Sequence, residues 1–101
     1  MKNNLELLRQ IFGDRACMDI DESINNNDEL NTLAEEVLSE LAPANKNAVE
    51  LVCYEGKSIK EISKIMEASY EEVQQFFAIG IRNLRHPKRS KRLSKFVNHI
   101  E

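Results

Sequence analysis

The chain has 101 residues, with 14 Lys or Arg against 17 Asp or Glu and a formal net charge of −3. That length allows one small domain burying about 60–65% of its unfolded surface, which argues against a multidomain enzyme. An apolar content of 42%, a charged content of 31% and the absence of Trp suit a soluble fold with a helical bias. No apolar run approaches the roughly 20 residues of a bilayer span and no signal-peptide segment opens the chain, so the cytoplasm is the expected compartment.

Taken in chain order, the first element is a short amphipathic opening, "NLELLRQIF", which reads as a packed or frayed helix. After it, "GDRACMDIDESINNNDE" is polar and acidic with no sustained period and reads as a linker. Residues 1–27 are accordingly expected to be a short helix plus acidic linker, and residues 28–101 a folded domain with a basic C-terminal segment. From Asp28 the pattern turns helical: Leu30, Leu33, Ala34, Val37, Leu38 and Leu41 fall 3, 1, 3, 1 and 3 residues apart. "LAP" breaks that run, and Pro43 fits the first turn of a new helix, where its missing N–H is not needed. Ala48, Val49, Val52 and Cys53 continue an apolar face to about Tyr54, and Gly56 ends the helix.

Two short helices with the same start signal follow. "SIKE" at Ser58 and "SYEE" at Ser69 are Ser-x-x-Glu capping boxes, in which the hydroxyl accepts from one early backbone N–H and the carboxylate reaches back to another. Ile59, Ile62, Ile65 and Met66 give the first helix about two turns, and "EA" leaves a tight connection to the second. This is the helix-turn-helix pattern, with Ser69 onward as the candidate recognition helix. The expected fold is all-α, with four or five helices and a helix-turn-helix near Ser58 to Leu84. His86, just before Pro87, is expected to terminate a helix, because the position before proline is pushed out of helical geometry.

Charge is divided along the chain. Residues 1–45 hold three cations and ten acids, whereas residues 46–101 hold eleven cations and seven acids. From Val73 to Ile100 there is no acid at all, while Arg82, Arg85, Lys88, Arg89, Lys91, Arg92 and Lys95 supply seven cations. Cations complement a helix C-terminus, but that accounts for two or three. Seven without an interspersed acid point to a polyanion partner, since clustered Lys and Arg gain affinity by releasing phosphate counterions.

Other chemistries find no support. Cys17 and Cys53 form no CxxC, and His86 and His99 do not stand at zinc-ligand spacing from them; Cys53 reads as core, and no metal or cofactor is expected. Gly13, Gly56 and Gly80 make no phosphate loop, no catalytic set is recognisable, and no enzymatic activity is expected.

"LRHPKRSKRLSKF", preceded by "SIKEISKIMEASYEEVQQ" and "LSELAP", resembles domain 4 (region 4) of the sigma-70 family of bacterial RNA polymerase sigma factors, in a divergent form. The resemblance covers roughly Leu30 to Val97, and its most specific piece is the Leu-Arg-His-Pro close of the recognition helix. It implies a domain that sits on the flap of the polymerase β subunit and places its recognition helix in the major groove of the −35 promoter element. The family's recognition helix typically opens Thr/Ser-Arg-Glu-Arg-Val/Ile-Arg-Gln; here Ser69, Glu71, Val73 and Gln75 match, while Tyr70, Glu72 and Gln74 replace three arginines. Ala44 and Asn45 likewise stand where the family has an Arg-Glu pair. The DNA-facing residues implied are Ser69, Glu71, Gln74, Gln75, Arg82, Arg85, Lys88, Arg89, Lys91 and Arg92.

Tyr70, Phe77 and Ile79 are either core or an apolar partner-binding patch on the recognition helix. The partners implied are core RNA polymerase, promoter DNA and, on the alternative reading, another sigma subunit or an anti-sigma regulator. That alternative is a region-4-like protein-interaction module with little sequence-specific DNA binding. The chain is too short for the aromatic-rich domain that melts the −10 element, so it reads either as a fragment of a longer factor or as a stand-alone protein.

Overall fold

The computed structural model of the protein describes residues 2–98. Six α-helices run α1 (Asn4–Phe12), α2 (Asp28–Ser39), α3 (Pro43–Cys53), α4 (Ile59–Met66), α5 (Tyr70–Arg85) and α6 (Pro87–Leu93), with no strand among the described residues. The fold is thus all-α, with one helix more than the upper expectation because Pro87 starts a new helix rather than a basic tail. His86 has a dual role: it closes α5, and its Nδ1 accepts from the Lys88 backbone N–H at 3.2 Å as the cap of α6. His99 lies outside the described residues.

Local signals set most boundaries. Ser58 and Ser69 each close a complete capping box, with Glu61 and Glu72 returning to the Ser backbone N–H at 3.1 and 3.0 Å. Pro43 occupies the first turn of α3, and Gly56 at φ 62° turns the chain so that the Lys57 N–H reaches the Leu51 carbonyl at 2.9 Å. Glu67 ends α4 in the left-handed region, φ 53°, a conformation that strains an ordinary side chain.

Residues 1–27, read as a short helix and acidic linker, carry a helix that packs into the core. Leu5, Leu7, Leu8 and Ile11 of α1 are buried in one core with Leu30, Val37, Leu38, Val49, Ile81, Leu84 and Leu93. Burial of such side chains is worth roughly 1.5–3 kcal/mol apiece, so α1 is part of the domain rather than an appendage. The Asn-rich stretch that follows is held by side-chain bonds that leave no periodic trace. It forms short 3-10 turns at Arg15–Cys17 and Glu22–Asn26. Asn3 caps α1, Asn27 caps α2 by accepting from the Leu30 N–H at 2.8 Å, and Asn25 accepts from the Leu5 N–H at 2.8 Å. The fully buried Asn4 accepts from the Tyr54 hydroxyl at 2.7 Å and donates to Asn31, so one polar side chain links α1, α2 and the end of α3.

α5 is the hub. It crosses α3 so closely at Gly80 that an added Cβ would lie 2.7 Å from Val49 Cγ2 and 3.2 Å from the Asn45 carbonyl oxygen. α4 packs across its N-terminal half, with Ile62 and Val73 fully buried.

Candidate nucleic-acid interface

The capping box at Ser69 fixes where α5 begins and so which side chains its first turns present. Glu71, Gln75, Ala78 and Arg82 fall at i, i+4, i+7 and i+11 and form one exposed stripe, with Gln74 exposed beside it. Ser69, Glu71, Glu72, Gln74, Gln75 and Ala78 line a shallow surface concavity. Glu72 is occupied: its carboxylate accepts from the Ser69 backbone N–H, and that bond holds its pKa below the ordinary carboxyl value. Its negative charge therefore complements the helix terminus.

The three residues expected either as core or as an apolar patch divide. Phe77 packs against the core, Ile79 is half-buried, and Tyr70 is 53% exposed at the start of the helix.

The seven cations after Val73 divide as well, along a line that the sequence does not display. Arg85 caps the C-terminal end of α1, its Nε donating to the Ile11 carbonyl at 3.1 Å and its Nη2 to the Gln10 carbonyl at 2.9 Å. Arg89 and Arg92 converge on Glu40 at the end of α2, at 3.1 and 2.8 Å, and Arg92 also stands 4.0 Å from Glu36. Lys95 pairs with Glu29 at 2.8 Å. The Arg92 hydrogen bond, aided by Arg89, keeps the Glu40 carboxyl below its ordinary range. α6 is thus laid on the acidic side of α2 by charge. Arg82, Lys88 and Lys91 are exposed and make no ion pair among the described residues.

Glu40 and Arg92 lie 52 residues apart, so no local sequence pattern joins them. Cys17 and Cys53 are buried free thiols, and burial pushes the Cys53 pKa up to about 12, so neither has the character of a reactive site.

Two capped helices, a tight left-handed turn between them and an uncovered second helix make up a helix-turn-helix, and residues 32–78, from α2 to the middle of α5, match the family model of Sigma-70, region 4. This stretch is similar to sigma-70 region 4. No curated protein and no solved structure matches the chain. The family places the region 4 domain in transcription, alongside RNA polymerase and promoter DNA. α1 and α6 lie outside the matched residues, and both are joined to them through the core and the Glu40 cluster.

Proposed function

We propose that the chain is a transcription-initiation module that docks on the RNA polymerase β flap and contacts −35 promoter DNA through α5. The observation that carries this reading is the α5 stripe, which every other helix leaves uncovered and which leads into the exposed cations Arg82, Lys88 and Lys91. In the major groove a Gln pairs with adenine N6 and N7 and a Glu accepts from cytosine N4, which gives Gln74, Gln75 and Glu71 base-reading chemistry. Arg82, Lys88 and Lys91 are the phosphate contacts of this mechanism; Arg85, Arg89 and Arg92 position α6 and the N-terminal helix. The site of action is the cytoplasm.

Salt dependence of duplex binding tests it. Three phosphate contacts give a slope of log affinity on log salt of about −2.7, hence about a 40-fold loss between 50 and 200 mM salt, whereas seven would give a slope of about −6. Within the specific complex, Gln75→Ala should erase about 1–3 kcal/mol of preference at one base pair. A flat salt response, or no binding at about 50 mM salt, defeats the DNA-reading mechanism.

A second reading has its own support in the charge at the start of α5, where Glu71 and Glu72 stand beside exposed Tyr70 while four of the seven downstream cations serve the chain itself. On that reading the domain regulates RNA polymerase or a sigma factor by protein contact. Pull-down against core polymerase, its isolated β flap and free sigma factor separates the two.

A further inference from the structure

α4 carries an aliphatic residue that its own fold does not use. Ile65 is 55% exposed although its helix otherwise buries Ile62 completely. It is not a solitary surface residue. Ile65 and Met66 of α4 face Leu51 and Ala44 of α3 across a groove of about 460 Å³, and Glu50 and Glu55 complete the wall with Asn47. The floor is apolar, the charged groups of the lining are both carboxylates, and no cation is among them. None of these residues belongs to the α5 stripe, and the match to region 4 says nothing of what fills the groove.

We propose that this α3–α4 groove is a docking site for a cationic amphipathic segment of a partner protein, an aliphatic anchor between Lys or Arg residues. The aliphatic anchor covers Leu51, Ile65 and Met66, and its flanking cations meet Glu50 and Glu55. Nucleic acid is disfavoured by the same two carboxylates. The C-terminal basic run of a second copy does not supply this segment, because its aliphatics Leu84 and Leu93 are fully buried in the core.

The probe is a short synthetic helical peptide with Leu at i and i+4 and Lys on both flanks, titrated into the full chain and followed by amide chemical shifts. Shifts should centre on Leu51, Ile65 and Met66. Ile65→Lys, at an exposed position, should weaken binding about tenfold while leaving the far-ultraviolet circular dichroism unchanged. The double variant Glu50→Gln with Glu55→Gln, which leaves the apolar floor intact, should weaken it about fivefold at low salt and hardly at all at high salt. A peptide with its Leu replaced by Gln should not bind. The proposal is overturned by absence of binding, by shifts confined to the acidic stretch around Asp19, Asp21 and Glu22, or by equal binding of a peptide with Glu in place of Lys. It is equally overturned by duplex DNA that perturbs Leu51 and Ile65, or by self-association of the chain that Ile65→Lys abolishes. Because the α5 stripe is read by salt-dependent duplex binding and the groove by the peptide, failure of one leaves the other standing.

Discussion

The two ends of α5 live in different surroundings. Its first two turns bury Val73 alone and turn Tyr70, Glu71, Glu72, Gln74 and Gln75 outward. Its last two turns bury Gly80, Ile81 and Leu84, and its final arginine is bonded to the carbonyl end of α1. A helix built this way is a lever clamped at one end: the clamp fixes its direction, and the free end is available to a partner. Leu84, Arg85, His86 and Pro87 clamp and terminate the helix, whereas the free end presents Tyr70, Glu72 and Gln74 to solvent.

The contrast can be broken from either side. The largest effect is expected at the clamp. Leu8→Ala, in a fully buried position of α1, should lower unfolding free energy by about 2–5 kcal/mol, read as a lower urea midpoint at unchanged slope. Next comes Gly80→Ala, which forces a methyl against the immobile Val49 and the Asn45 carbonyl; even after the gain in helix propensity, a net loss of about 1–2 kcal/mol is expected in the same measurement.

Glu40→Gln should act on charge more than on the core. Freed of their carboxylate, Arg89 and Arg92 become available to phosphate, and the salt slope of duplex binding should steepen by up to about 2. The same substitution tests the pH dependence. Glu40 titrates below its ordinary value in the folded protein, so its contribution is fully present above about 4.5 and lost as pH falls through the depressed value. Glu40→Gln should remove that part of the acid-side loss of stability. The smallest effect is expected in the turn ahead of the free end: Glu67→Gly relieves a left-handed backbone and should raise stability by about 0.5 kcal/mol, with little change in binding.

What was legible in the sequence was what is local. Both capping boxes, the Pro43 start, the Gly56 stop and the break at His86 are encoded within four or five residues, and each stands where its chemistry required. The role of residues 1–27 was not legible, because Asn3, Asn25 and Asn27 act through single side-chain bonds with no period, and polar residues without a period look like a linker. Nor was the fate of the arginines legible. A run of cations looks the same whether its partners are phosphates or Glu40 of the same chain. Spacing alone does not separate Ile62 from Ile65 one turn later: the fold buries the first and leaves the second at the lip of a groove.

The bond between Arg85 and the carbonyl of Ile11 spans 74 residues. A ribosome adding about 5–20 residues each second takes about 4–15 s to make the second partner after the first has appeared. Throughout that interval Leu5, Leu7, Leu8 and Ile11 have been synthesised, but the helix that closes their side of the core has not. Until α5 emerges, α1 can meet α2 and α3 but lacks the helix that closes its side of the core.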